Sequence, residues 1–341
     1  MFRLQINKNQ IARILWINLM AIKIFPYGFK HEVAKRWPLL DWKKSIAVSR
    51  RIAPKNADSA IYNLVMKNEP ALVGRLGGTE ARFLGEFKKI SELPFLNEFA
   101  FRIKPNWIKR SKEINNNAGF YFQTQQEARD FYNLYISALY DTDILGAWGT
   151  AFSYIESQFI DNILDFIPVG MTAPWVQSYL EDSNSSPWSK ALEDKKVLVI
   201  SPFTDSINKQ FSNISKIFPN YGFHNFKLLT LKSPMTINMK YPVEKTWFEL
   251  LDDLKINMDK IDYDVALVSA GSYSYPLAHY AKSMGKIGIH AGGGLQLFFG
   301  IMGKRWEKSE YLSSVVNSNW TRPTPEETPE SYNLVEKGCY W

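Results

Sequence analysis

One cysteine, four histidines and no long uncharged apolar run set the first limits on this chain. Cys339 alone forms neither an internal disulfide nor a cysteine-based metal site, so a reducing, cytoplasmic setting is the default expectation. His31, His224, His279 and His290 lack HExxH or any other tight ligand spacing. The nucleotide-binding fingerprints GxGxxG and GxxxxGK[ST] are missing, and so is the GxSxG elbow of serine hydrolases. Basic residues do not alternate with aromatics as in nucleic-acid readers, so nucleic acid is not an expected partner.

The longest apolar stretch, residues 11–25, carries Arg13 and Lys23 and is too short and too charged for a spanning helix, which needs about 20 apolar residues. It lacks a small-residue cleavage site, so no secretory signal is expected. Two readings stay open for residues 1–30: an interfacial helix whose Arg3, Lys8, Arg13 and Lys23 meet anionic lipid, or an ordinary helix packed on the domain.

What is present is the composition of a folded protein. The 341 residues suffice for a full core, 45% are hydrophobic and 15% aromatic, and the net charge of +7 favours anionic partners. Residues 43–68 read as helical, broken by Pro54, and Pro70–Gly74 as a short buried strand. The turn Arg75-Leu-Gly-Gly-Thr-Glu80 follows, and a helix restarts at Ala81. Residues 91–118 look loop-rich and basic, 125–140 helical, 143–148 a strand and 151–165 helical. The polar stretch 181–189 is the best candidate for a subdomain break. Then strands near 196–200, 226–231, 264–269 and 286–290 alternate with helices over 206–217, 243–259 and 275–284. Alternation of this kind predicts an α/β, Rossmann-like, mostly parallel sheet with helices on both faces over residues 31–320. Residues 321–341 form a Pro-rich, extended arm whose closing Cys-Tyr-Trp favours a groove.

In a parallel sheet, ligands sit at the carboxyl ends of the strands, which places four segments on one rim. They are residues 75–80, with Arg75, Gly77, Gly78, Thr79 and Glu80 as candidates; residues 201–206, with Ser201 and Ser206; residues 271–275, with Gly271, Ser272 and Tyr273; and residues 290–294, with His290, Gly292, Gly293 and Gly294, followed by the candidate Gln296. Each has a structural alternative. Glu80 is equally a first-turn carboxylate stabilised by its helix dipole, with Arg75 as its ion-pair partner. Ser201, Thr204, Asp205 and Ser206 are equally an N-cap cluster, whose N–H groups could instead receive phosphate. Lys304 and Arg305 are a solvated pair or phosphate ligands, with Trp306 beside them suited to stacking on a base. Asp264 reads as a strand pin, and Asp141 and Asp143 as solvated acids in reserve as metal ligands.

The turn at residues 75–80, the run Asp264-Val-Ala-Leu-Val-Ser-Ala-Gly271 and the Gly-rich C-terminal segment together resemble the bacterial glycosyltransferases of the GT-D fold, with gaps, over about residues 45–306. Pro202-Phe203, Ser206, Gln210, residues 271–278 and residues 290–306 are similar to proteins related to that fold and associated with surface polysaccharide synthesis. The resemblance implies transfer of a sugar from a nucleotide donor, most often UDP-linked, to a growing capsule, lipopolysaccharide or similar glycan, free or lipid-linked. The family turn, Arg-Phe-Gly-Asp-Gly-Glu, carries a DxE element associated with a divalent metal. Here Arg75, Gly77 and Glu80 match, Leu76 replaces Phe, and Gly78 stands in place of the Asp. Glu80 is then the sole matching ligand for Mn²⁺ or Mg²⁺, and metal-assisted transfer and transfer stabilised by Arg75, Lys304 and Arg305 both stay open. Glu80, Asp205 and His290 are the candidate general bases, unranked.

Overall fold

The computed structural model describes residues 54–91, 104–147, 165–168, 188–217, 225–313 and 315–341. The chain divides into two units, residues 1–51 and 52–341, and all described residues lie in the second. The expected N-terminal helix, the helix at 151–165 and most of the polar stretch 181–189 fall outside the described residues.

Seven strands form one all-parallel sheet in the order β3-β2-β1-β7-β6-β4-β5. They are β1 (Ala71–Arg75), β2 (Ile144–Ala147), β3 (Asp165–Pro168), β4 (Lys196–Ser201), β5 (Lys227–Lys232), β6 (Val265–Val268) and β7 (Ile287–His290). The central strands are continuous apolar runs, as strands buried on both faces require. At the sheet edge, β5 has lysines at both exposed ends. Strand β3 was not foreseen; its sequence, Asp-Phe-Ile-Pro, is too short to show a period.

The helices are α1 (Pro54–Met66), α2 (Gly78–Ser91), α3 (Pro105–Ala118), α4 (Gln125–Tyr140), α5 (Thr204–Phe211), α6 (Ile214–Ile217), α7 (Trp247–Asp259), α8 (Ser274–Ser283), α9 (Leu295–Phe298) and α10 (Glu310–Ser313). Helix α3 lies where loop was expected. Its sequence is polar and Asn-rich, but Pro105 opens the first turn, Gly119 closes the last in a left-handed conformation, and Trp107 and Ile114 bury one face. Thr124/Glu127 and Thr246/Glu249 form capping boxes that fix the starts of α4 and α7.

Alternate strand residues face opposite layers. Val73, Val199, Leu267 and Ile289 pack with Ile61 and Val65 of α1, Ile207 of α5 and Phe298 of α9. On the other face Gly74 and Gly288 lie beneath α8. There the aromatics form an interior cluster in which Phe83, Trp107, Phe120, Phe131 and Trp247 are packed at ring spacings of 3.8 to 5.7 Å. Much of the aromatic content is therefore core.

A methyl group at Gly288 would stand 1.9 Å from the Ala278 carbonyl oxygen, which is backbone of α8 and cannot swing aside. Gly288→Ala is expected to destabilise by roughly 1–3 kcal/mol, read as a lower urea midpoint at unchanged slope. An unchanged midpoint would show that α8 is not held this closely.

The sheet positions the site. After β4 and β7 the chain turns to the α5/α9 face, and after β1 and β6 to the α2/α8 face. Loops that diverge from neighbouring parallel strands leave a crevice at the carboxyl rim.

Candidate functional site

A cavity of about 290 Å³ occupies that crevice, near the lower end of the size range of ligand pockets. Its wall includes Arg75, Gly77, Gly78, Thr79 and Glu80 from the β1 end, Pro202 and Phe203 from the β4 end, Ser269 to Gly271 from the β6 end, and His290, Gly292, Gly293 and Gln296 from the β7 end. Arg305 joins them from beyond α9.

Arg75 is the last residue of β1, and its guanidinium lies against the turn after β7. A Cβ at Gly292 would stand 3.1 Å from it, and Gly292 has a φ of +58°, so both space and backbone call for glycine. Gly271, with φ +55°, is similarly pressed against the Ala118 carbonyl, 2.6 Å from an added Cβ.

Glu80 is in the first turn of α2 and only 8% exposed. Its carboxylate folds back over Gly77, where a Cβ would stand 2.0 Å from Oε2. Burial pushes its pKa upward. Its own main-chain N–H and the charges of Arg75 and Arg82 pull the other way, and Glu336 adds to the rise.

His290 ends β7 and is 6% exposed. Burial, helped by the nearby Arg75 charge, lowers its pKa to about 3, against the pull of a hydrogen bond with the Arg75 main chain. The ring is therefore neutral at ordinary pH and a weak base. Because its folded-state pKa is depressed from 6.5, its contribution to stability is complete above pH 6.5 and is lost as pH falls toward about 3. Acid melts of the wild type should show this loss, and His290→Gln should flatten it; parallel curves for the two proteins would contradict the placement.

The buried polar atoms on residues of the cavity wall include His290 Nδ1, Gln296 Oε1 and Ser233 Oγ, which have no hydrogen-bond partner among the described residues. Such atoms are uncommon in folded proteins and mark a wall suited to a polar ligand.

The C-terminal segment completes the wall with Val335, Glu336, Tyr340 and Trp341, a contribution that sequence reasoning missed. It is not extended. It runs through single helical turns at Pro325–Glu327 and Tyr332–Leu334 and returns to the sheet. Tyr340 lies on Gly293, where a Cβ would stand 2.4 Å from its ring. Its carbonyl accepts from Gln296 Nε2 at 3.1 Å, and the Cys339 and Trp341 carbonyls accept from Arg305 and Lys304 N–H at 2.9 and 3.0 Å. Cys339 is buried, so the expected preference of the closing Cys-Tyr-Trp for a groove is met.

Several expected site residues lie elsewhere. Ser201 Oγ accepts from the Phe203 N–H at 3.1 Å and shapes the turn after β4. Asp205 is paired with Lys232 at 2.8 Å outside the cavity, so it is not placed to act as a base. The N–H groups of Asp205 and Ser206 do not await a phosphate: Glu327 Oε1 accepts from them at 2.8 and 3.2 Å, and Ser206 Oγ donates to Oε2. Ser272 accepts from Trp247 Nε1 at 2.9 Å, and Tyr273 stacks on Trp247 at 4.8 Å, so both belong to the aromatic core. Gly294 and Lys304 also lie off the wall, with Lys304 Nζ near the Lys337 carbonyl at 3.4 Å. Asp141 and Asp143 are at the opposite rim, where Lys282 bridges them at 3.2 and 2.9 Å, and cannot share a metal with Glu80. Asp264 pins β4 by accepting from the Lys196 N–H at 2.7 Å.

No family of known proteins, no curated protein and no solved structure matches the chain. No helix among the described residues is long and apolar enough to cross a membrane.

Proposed function

We propose that this protein is a glycosyltransferase of the GT-D type, moving a sugar from a nucleotide donor, UDP-linked in the first instance, to a capsule, lipopolysaccharide or similar bacterial surface glycan, at the cytoplasmic side of the membrane. The observation that carries this reading is the meeting of Arg75, Glu80, His290 and the Gly292-Gly293 turn in one cavity at the carboxyl rim of a parallel sheet. The resemblance of the turn at residues 75–80 to the family turn supplies the reaction class.

In such a transfer the acceptor hydroxyl forms a bond to the anomeric carbon and gives up its proton. The bond from that carbon to the diphosphate oxygen breaks, and the electron pair leaves with the nucleoside diphosphate. Arg75 supports the charge that develops on the leaving oxygens, a role suited to a guanidinium held in a partly buried site. Glu80 is the base: its raised pKa gives it more proton affinity than an ordinary carboxylate, while His290 is too weakly basic and Asp205 too distant. His290 and Gln296 present polar atoms suited to the hydroxyls of the donor sugar.

The residues present do not fit the Mn²⁺ or Mg²⁺ that the resemblance implies. Among the described residues no three acidic, His or Cys side chains converge as a metal site. The two carboxylates on the cavity wall, Glu80 and Glu336, already face Arg75 and Arg305, and Gly78 offers no side chain.

A second reading is a non-catalytic nucleotide-sugar binder, favoured by the way Glu80 caps its own helix. A thermal-shift panel of UDP, GDP, dTDP and CMP with their common sugars tests both. A ligand at 100 times its Kd raises stability by about 2.7 kcal/mol, so a true donor is visible. Stabilisation followed by acceptor-dependent turnover is expected; stabilisation without turnover would favour the binder, and no stabilisation by any of them would end both readings.

A further inference from the structure

Two guanidinium groups, those of Arg75 and Arg305, stand on the cavity wall with the glycine turn after β7. Arg75 reaches it from the end of β1 and rests on Gly292. Arg305 reaches it through the C-terminal segment: its guanidinium lies 4.8 Å from the centre of the Tyr340 ring, and that ring covers Gly293. Arg305 is held in place by its own N–H to the Cys339 carbonyl at 2.9 Å, by Tyr340 Oη at 3.3 Å and by an ion pair with Glu336. Stacked on Tyr340 and 5.8 Å from the centre of the Trp306 ring, it is held by rigid neighbours. We infer that Arg75 and Arg305 form a two-armed clamp for a diphosphate, in place of a divalent cation, with the C-terminal segment supplying the second arm. The inference rests on the nucleotide-sugar reading above and adds to it the agent that neutralises the diphosphate.

The charges around the cavity agree with this assignment. Its wall carries Arg75, Arg82 and Arg305 against Glu80 and Glu336, with His290 neutral. Arg82 pairs with Glu113 at 3.6 Å, whereas Arg75 and Arg305 face Glu80 and Glu336 on the cavity wall. A dication set among them would meet two guanidinium groups at close range, whereas a diphosphate meets both with its oxygens in the planar geometry that guanidinium favours.

Titration calorimetry of the full chain with inorganic pyrophosphate and with UDP, in EDTA and then in Mn²⁺, tests the clamp. Dissociation constants should agree within about threefold between the two conditions, and Arg75→Gln and Arg305→Gln should each weaken binding about tenfold or more. Arg305→Gln could also loosen the C-terminal segment, so Glu336→Gln provides the discriminating variant. It removes the carboxylate partner of Arg305 while its contacts with Cys339 and Tyr340 remain, and is expected to tighten pyrophosphate binding severalfold; unchanged or weaker binding would overturn the clamp. Binding of both probes only with Mn²⁺, or no binding in either condition, would overturn it as well. Sugar transfer that requires Mn²⁺ would keep the transferase reading and end the clamp, whereas metal-independent UDP binding with no turnover of any nucleotide sugar would keep the clamp and end the transferase reading.

Discussion

Replacing Arg75 with Gln should lower the turnover of the nucleotide-sugar donor by about 10²–10³-fold, the loss typical when one fixed donor to a developing negative charge is removed. The side chain starts at the last residue of β1, so its base is fixed by the parallel pairing of Arg75 with Gly146 of β2. Its tip lies against Gly292, where an added Cβ would stand 3.1 Å from it. Because the leaving oxygens gain charge as the bond breaks, the loss should fall mainly on kcat and less on KM. Arg75→Lys keeps the charge without the fork and should recover only part of the rate. Glu80→Gln should cost about 10²–10⁴-fold by removing the base. The wild-type rate should rise with pH through the raised pKa of Glu80, because the ionised form accepts the proton, and the residual rate of Glu80→Gln should lose that limb. A rate for Arg75→Gln within about threefold of wild type would remove it from the account.

The largest expected effect on stability lies far from Arg75 in sequence, at Glu327. This carboxylate is fully buried and receives the Asp205 and Ser206 N–H groups that open α5, the Ser206 hydroxyl, and the Thr324 N–H of its own turn. It satisfies the helix terminus and ties down the segment that carries Glu336, Tyr340 and Trp341; the Trp341 indole N–H returns to the Glu327 carbonyl at 2.8 Å. Deleting the carboxylate takes the acceptor from the Asp205 and Ser206 N–H groups and the Ser206 hydroxyl, and Glu327→Ala is expected to lose roughly 2–4 kcal/mol. Glu327→Gln retains an acceptor without the charge and should lose about half as much. Urea unfolding measures both. Ligand binding should weaken along with stability, because the cavity wall is released. A Glu327→Ala protein as stable as wild type would mean that α5 and the C-terminal segment are not joined through this residue.

Much of the sheet was legible because parallel strands buried on both faces leave unbroken apolar runs: Lys196–Ser201 and Val265–Val268 differ from expectation by a residue or so at each end. The α4 limits agree with the sequence reading because the capping box at Thr124 and Glu127 fixes its start. What was not legible depended on distant partners. Helix α3 is polar along most of its length and is held by Trp107 in the aromatic cluster. The expected helix over 206–217 is instead two pieces, Thr204–Phe211 and Ile214–Ile217, separated by Ser212 and Asn213. At the site, the turn at residues 75–80 and His290 were found because glycines follow or precede apolar strands there. Asp205 and Ser206 looked like phosphate ligands because nothing local reveals that Glu327, more than 100 residues later, fills that helix terminus. The same distance hid Tyr340 and Glu336. Their only local sign was a terminal Cys-Tyr-Trp too apolar to remain in solvent.

The most direct measurement is release of nucleotide from a panel of UDP-, GDP-, dTDP- and CMP-sugars by the wild-type chain and by Arg75→Gln, with a membrane glycan fraction as acceptor. The account predicts release from one donor class by the wild type, dependent on acceptor and reduced about 10²-fold or more in the variant. Absence of release from every donor, or release that Arg75→Gln leaves unchanged, would contradict it.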